Sequence, residues 1–306
     1  MRRTRRLWMG LAWLYSTTLL AAAPLSLTQV ADGVYVHHGA YQEISALNAG
    51  DIANIGFIVG HNCVAVIDTG GSLEVGQALR AAIKATTTTP ICYVINTHVH
   101  PDHIFGNAAF VQDHPKFVGH VRLPAALAAR GEYYLRSLSD TLHRPVPQEW
   151  LIPPSVVVAK RLTLDLGGRD LLLIAQPTAH TDNDLTVFDV NTDTLWLSDL
   201  LFVKRVPALD GSLRGWIDLL RRLQAQRVAR VVPGHGPPSV VWPQAGDAEL
   251  RYLLVLRDET RAIIRRGGTI EQAIAQVGRD EQRRWLLFDQ YNTRNVTAAY
   301  AELEWE

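Results

Sequence analysis

Cysteine is nearly absent: Cys63 and Cys92 are the only two in 306 residues. Neither sits in a C-x-x-C spacing, so a thiolate zinc site or a dithiol redox motif is excluded. Each lies at the start of an expected strand, and the two strands are expected to neighbour each other. The pair reads either as a disulfide or as two buried free thiols acting as small apolar groups. An excess of charge of one sign is also missing, with Lys+Arg and Asp+Glu both at 30. No basic stripe or aromatic-interleaved basic patch appears, which excludes an electrostatic nucleic-acid footprint. Internal repeats and low-complexity segments are absent as well. Hydrophobic residues make up 47% of the chain, ample for a packed core.

A further absence is local. No acidic residue precedes Asp32, and the first positions read Met1-Arg2-Arg3-Thr4-Arg5-Arg6. An apolar run from Leu7 to Leu20 and the small residues Ala21-Ala22-Ala23 follow, the layout of a secretory signal peptide over residues 1–23. An uncleaved membrane anchor and a twin-arginine signal (Thr4-Arg5-Arg6-Leu7-Trp8) are the competing readings. All three place the mature chain in the periplasm or outside the cell, and no other membrane segment is expected.

The remainder, 24–306, is expected to form one domain of mixed α and β structure. Gly33–His37 alternates as a strand. Ile55–Val59 and Cys63–Ile67 flank a tight turn as a hairpin. Ser72 caps a helix with Val75, Leu79 and Ile83 on its apolar face, and Ile91–Ile95 returns as a strand. Val121–Leu142 is helical, and Pro145, Pro147, Pro153 and Pro154 mark a long surface connection. Strands recur at Leu162–Leu166, Leu171–Ala175, Leu185–Val190, Thr194–Leu197 and Val228–Val232, with a helix over Trp216–Gln226. Beyond about residue 246 the pattern is helical, including a capping box at Thr269 and Gln272, and these helices are expected to cover one sheet face.

What the chain does have is histidine in one place. Thr97-His98-Val99-His100-Pro101-Asp102-His103 packs three imidazoles and a carboxylate into a loop at a strand's end. Imidazole is the commonest neutral nitrogen ligand and Asp supplies a hard anionic oxygen. His180, Asp199 and His235 each follow a later apolar strand, so four loops can converge at one sheet edge. Seven donors exceed one tetrahedral ion and suit two ions about 3.5–4 Å apart. A thiolate-free imidazole and carboxylate set favours Zn2+, with Fe or Mn as alternatives.

His98-Val99-His100-Pro101-Asp102-His103, followed in order by His180, Asp199 and His235, resembles the metallo-β-lactamase superfamily. Val66-Ile67-Asp68-Thr69-Gly70 is similar to the strand before that superfamily's first helix. The resemblance implies an αββα sandwich of two mixed sheets with outer helices. It puts one metal on His98, His100 and His180, the second on Asp102, His103 and His235, and Asp199 between them. Relatives that hydrolyse β-lactams carry Cys or Ser at that last position, so Asp199 makes the chain more similar to glyoxalase II, lactonases and related hydrolases. Val36-His37-His38-Gly39, Gly50 to Gly56, Pro177 to Leu185 and Arg294 to Glu306 resemble the quinoprotein relay system zinc metallohydrolases, which are similar to SoxH-like proteins. That resemblance implies a functional link to periplasmic quinoproteins.

The expected activity is metal-assisted hydrolysis of a small-molecule ester, thioester or lactone, with a metal-bridging hydroxide attacking the carbonyl. Asp102 is the expected catalytic proton carrier. Asp68 either fixes a ligand imidazole from behind or caps the turn. Lys204 and Arg205 read as ordinary solvated charge or as contacts for an anionic substrate group. Tyr133 and Tyr134 read as core packing or as phenol donors over the site. His37, His38 and Glu43 are expected near the cleft, and His61, His114, His120 and His143 at turns or the surface. Two other readings stand beside the hydrolase. One is a mononuclear iron redox enzyme similar to persulfide dioxygenases, and the other a non-catalytic metal- or cofactor-binding accessory protein.

Overall fold

The computed structural model describes residues 24–306, so the expected signal segment at 1–23 lies outside the described residues. β1 (Thr28–Ala31), β2 (Val34–His37), β3 (Ile55–Val59) and β4 (Val64–Ile67) pair antiparallel in sequence order. Helix α1 (Leu73–Thr86) crosses to β5 (Ile91–Ile95), which pairs parallel with β4. The short α2 (Pro101–Ile104), β6 (Lys116–His120), α3 (Leu123–Leu142) and β7 (Val156–Val158) complete this half. Its seven strands form one sheet in chain order.

The second sheet is built from β8 (Arg161–Asp165), β9 (Asp170–Ala175), β10 (Leu185–Asp189) and β11 (Thr194–Phe202). Helix α4 (Leu213–Gln224) then leads to β12 (Arg230–His235), which pairs parallel with β11. The order is β12-β11-β10-β9-β8. Helices α5 (Asp247–Arg265), α6 (Ile270–Gln276) and α7 (Phe288–Leu303) follow.

Two-residue alternation sets the layers. In β4, Ala65 and Ile67 point between the sheets, where they join a cluster with Leu171, Leu173 and Trp196. Val64 and Val66 point the other way, into a cluster with Leu79 and Ile83 of α1. In β11, Trp196 faces inward, whereas Leu195 and Leu197 join Trp216 and Leu220 of α4 and Leu256 of α5. Helices therefore cover both outer faces, and the architecture is the αββα sandwich. Ser72 caps α1 by accepting from the Val75 N–H. Truncating a fully buried contact such as Leu79 to Ala costs about 2–5 kcal/mol. Among the described residues no helix is long and apolar enough to cross a membrane.

Several local expectations change. Cys63 and Cys92 form a disulfide with their Cα atoms 5.7 Å apart, which decides between the two readings of that pair. β1, β6 and β7 were not expected; they are short and polar or proline-flanked, and only pairing to neighbours makes them strands. α7 begins at Phe288, within the stretch beyond about residue 246 that was expected to be helical. β11 runs past its expected end at Leu197 to Phe202, and all nine of its residues are buried. Ser198 breaks that strand with a left-handed φ of 48°, and the β11–β12 register shifts around it. Such a bulge re-aims the next side chain, here Asp199, toward the sheet edge.

Candidate metal centre

The four segments that carry donor side chains meet at one edge of the sandwich. Thr97 to His103 leaves the end of β5, and α2 sets Asp102 and His103 in successive helical positions behind Pro101. His180 lies in the turn between β9 and β10, and Asp199 within β11 rather than after it. His235 is the last residue of β12. Gly234 allows β12 and β11 to approach closely here, since a β-carbon on it would overlap Oδ1 of Asp199 and the Ser198 backbone. Asn54 ties the β12 end to the other sheet: its N–H donates to Gly234 O at 2.7 Å and its amide to Pro233 O at 2.9 Å.

His98, His100, His180 and Asp199 form one donor group, and Asp102, His103 and His235 a second. In the first, Nδ1 of His100 is 3.1 Å from Nε2 of His98 and 2.9 Å from Nε2 of His180. Oδ2 of Asp199 is 3.7 Å from His98 Nε2 and 3.5 Å from His180 Nε2. In the second, Oδ2 of Asp102 lies 3.3 Å from His235 Nε2 and 3.7 Å from His103 Nε2. Oδ1 of Asp199 reaches 3.1 Å from His103 Nε2, so this carboxylate faces both groups.

The far nitrogen of every imidazole has an acceptor, and this fixes which nitrogen is bare. His180 Nδ1 donates to Ala208 O at 2.6 Å, and His100 Nε2 to Asp210 Oδ2 at 3.1 Å. His103 Nδ1 donates to Asp68 Oδ2 at 2.9 Å, and His235 Nδ1 to Ile52 O at 2.8 Å. His98 Nδ1 donates to Thr97 Oγ1 at 3.1 Å, because the Thr97 hydroxyl spends its own proton on Asp68 at 2.7 Å. The five inward nitrogens therefore present lone pairs to one another at close range. Among the described residues, His103 Nε2 and Asp199 Oδ1 are buried without a hydrogen-bond partner. Converging lone pairs and an orphaned carboxylate oxygen repel unless a cation lies among them, so the residues fit metal ions.

The electrostatics agree. Burial, reinforced by neighbouring imidazoles, holds His98 well below its ordinary value and His180 at about 3, the neutral state a ligand requires. Burial pushes Asp199 upward, but His235 and His103 outweigh it and keep the carboxylate well below the usual range. Asp102 is likewise held low by His103 and His235 against the effect of burial. Burial favours neutral His103, yet Asp199, Asp102 and Asp68 reverse this and hold it well above its ordinary value. Three carboxylates around one ring demand positive charge, which a proton or a metal ion can supply.

A cavity of about 640 Å³ opens over these groups and is lined largely by apolar atoms, including Ile44, Ile52, Phe202, Leu209 and Ala298. Tyr133 and Tyr134 of α3 line it too; Tyr133 is exposed, while the Tyr134 hydroxyl accepts from Arg130. Arg130 also pairs with Asp210, whose carboxyl is held at about 2 by bonds from His100 and Arg130 despite burial. Lys204 and Arg205 separate. Lys204 is exposed above the Tyr41 ring, whereas Arg205 is 4% exposed and lines the cavity, so solvated charge describes only the first. His37, His38 and Glu43 are not in the lining; His37 is held by Asp51 and Ser26. His61 sits in an exposed turn and His114 and His143 cap helices in left-handed conformation, but His120 is buried at the end of β6. Asp68 resolves as both readings at once, taking a left-handed turn position and bonding His103. Thr97, Ser198, Asp210 and Asn54 were not singled out, because their roles depend on partners far away in sequence.

Comparison with known proteins adds four findings. The sequence profile of the Metallo-beta-lactamase superfamily matches residues 49–235, more than half of the chain. A linear primary-alkylsulfatase of Pseudomonas sp. is 37% identical over 134 residues, a stretch covering 42% of this chain but only 23% of that relative. Among solved structures, the inverting sec-alkylsulfatase from Pseudomonas sp. superposes with a TM-score of 0.70 at 16% identity, over 91% of this chain and 50% of its own. The metallo-beta-lactamase from Pontibacter korlensis superposes with a TM-score of 0.59 at 21% identity, over 74% of this chain and 99% of its own. The structural likenesses establish the fold; with the profile match across the donor-bearing segments, the chain belongs to the metallo-beta-lactamase superfamily.

Proposed function

We propose that this chain is an exported dinuclear zinc hydrolase of an ester-type small molecule. One observation carries the reading: five inward imidazole lone pairs in two groups, with Asp199 facing both. His98, His100 and His180 would hold one ion and Asp102, His103 and His235 the other. The thiolate-free donor set supports Zn2+ ahead of Fe or Mn. Ions bound there supply Lewis acidity and make water nucleophilic near neutral pH. The chain's own residues do the rest. Asp102 stands at the cavity wall with its carboxylate held ionised, placed to accept the proton released from the attacking water and to pass it to the leaving group. The apolar lining excludes water and accommodates a hydrophobic substrate body.

The bond cleaved is that of a carboxylic ester, thioester or lactone in the leading reading. A sulfate ester is the second, supported by the alkylsulfatase relative and by Arg205, a buried cation on the cavity wall with no carboxylate within ion-pair distance among the described residues. Export is supported by the composition of residues 1–23, and service to a periplasmic quinoprotein system by the resemblances around His37, Asn54 and Arg294.

Metal analysis of the purified protein, followed by turnover of carboxylic esters, thioesters, lactones and alkyl sulfates, tests the proposal. Two zinc ions and turnover of one class support it. One iron and no zinc would replace it with the persulfide dioxygenase type of chemistry. Two zinc ions with no turnover in any class would favour the accessory role.

A further inference from the structure

Helix α7 lies beyond the stretch matched by the superfamily profile, yet two of its side chains reach the supports of the donor groups. Asn295 is 1% exposed, and its amide has three partners. Nδ2 donates to Pro207 O at 2.7 Å and to Tyr252 Oη at 2.9 Å, and Oδ1 accepts from the Leu209 N–H at 2.9 Å. Asn295 thus clamps the backbone on both sides of Ala208. The Ala208 carbonyl is the acceptor that sets His180, at 2.6 Å from Nδ1. A carbonyl held from both neighbours cannot swing, and so the imidazole cannot turn its bare nitrogen away.

One helical turn earlier, on the same face, Tyr291 does the equivalent for the other group. Its hydroxyl accepts from Nη2 of Arg205 at 2.6 Å, and the guanidinium lies 5.0 Å from its ring centroid. Nη1 of the same guanidinium lies 2.8 Å from Nδ1 of His235. Because a guanidinium only donates and Nδ1 gives its own proton to Ile52 O, this contact is steric: Arg205 lies along the ring edge, 3.3 Å from Nε2, and limits its rotation. Packing alone requires neither the Asn295 amide nor the Tyr291 hydroxyl, although the Tyr291 ring packs against the cluster with α4 and α5. Val296, Ala299 and Leu303 already bury the apolar stripe of α7 in the cluster with α4 and α5.

We infer that α7 is a positioning element for the metal centre, with Asn295 orienting His180 in one donor group and Tyr291 orienting His235 in the other. The inference rests on the metal-centre reading above. Loss of such an outer support typically lowers metal affinity by about 10–100-fold.

The test uses the full chain, stripped by chelator and titrated with Co2+ alone, read by its visible absorption and by chelator competition. Asn295→Ala is expected to weaken one binding event at least about tenfold and to change its absorption band, whereas Tyr291→Phe weakens the other. Tyr252→Phe removes a third partner of Asn295 but leaves the Ala208 clamp; it is expected to lower the melting temperature of the apo-protein without changing Co2+ affinity. Wild-type affinity and spectrum in both α7 variants would overturn the inference while the metal reading stands. Should Asn295→Ala not fold, Tyr291→Phe decides, since it deletes a single hydroxyl, and an unchanged second event there sinks the claim. Wild-type protein that takes up no Co2+ would remove the metal reading and this inference together.

Discussion

Oδ2 of Asp68 accepts a hydrogen bond from Nδ1 of His103 at 2.9 Å, with both side chains fully buried. The same carboxylate accepts from the Thr97 N–H and hydroxyl at 2.8 and 2.7 Å. Every partner is a donor, which an amide cannot satisfy with both of its atoms. Asp68→Asn either leaves donors facing one another or turns His103 so that the proton moves to Nε2, the nitrogen that faces Asp199. The expected outcome is a loss of about 10–100-fold in affinity for one of two metal ions, with a matching fall in kcat. Metal titration of the stripped variant checks it, and retention of two ions at wild-type affinity would refute the role given to Asp68.

Asp199 is the one donor that faces both groups, 3.1 Å from His103 and 3.5 Å from His180. Asp199→Asn keeps the shape and removes the charge. The variant is expected to hold no more than one ion tightly and to lose at least about 100-fold in kcat, because the one anion facing both donor groups would be gone and a second ion would lack its counter-charge. Metal stoichiometry after gel filtration, beside the rate, reads both effects.

Glu249 of α5 is fully buried; Oε1 accepts from the Phe202 N–H at 3.0 Å and Oε2 has no partner. Burial, with Asp199 adding to it, pushes its carboxyl well above the ordinary 4.5. The folded chain therefore keeps a proton that the unfolded chain releases above pH 4.5. This contribution to stability is fully present below that pH and is lost as pH rises toward the folded value. Glu249→Gln removes the titration, so its melting temperature should decline less than that of the wild type from pH 5 into the neutral range. Parallel pH profiles for the two proteins would refute the assignment.

The Cys63–Cys92 bridge closes a loop with a sequence separation of 29, tying the start of β4 to β5. Chain-entropy reasoning gives a loop of this size about 3–4 kcal/mol of stabilisation. The Cys63→Ala/Cys92→Ala double variant should lose stability of that order in urea unfolding, and reductant should then have no further effect. An unaltered midpoint would mean that the bridge contributes nothing to the folded state.

The donor residues were legible because metal chemistry restricts residue type. His98, His100, Asp102 and His103 crowd six positions at the end of an apolar strand, and His180, Asp199 and His235 each follow another such run. The layers were legible for the same reason of limited choice, since β3 and β4 are continuous apolar runs bounded by turn residues and α1 carries helical periodicity. Much of the rest was not. Ala208 and Ile52 act through backbone carbonyls, which every residue type possesses. Arg205 carries the same charge whether solvated or buried beside Tyr291, and nothing nearby in sequence distinguishes the two. Asp199 was expected after a strand and lies inside one, because a single left-handed residue, Ser198, redirects it.

The sequence by itself determined the chemistry available, an imidazole and carboxylate donor set without thiolate, and the alternation that builds two sheets between helices. Tertiary structure alone decided how those donors are aimed. Each bare nitrogen is set by an acceptor on the far side of its ring, and those acceptors lie far away in the chain, from Ile52 behind His235 to Ala208 behind His180. Hydrogen bonds depend on distance and direction in space, and a linear order of residue types carries neither.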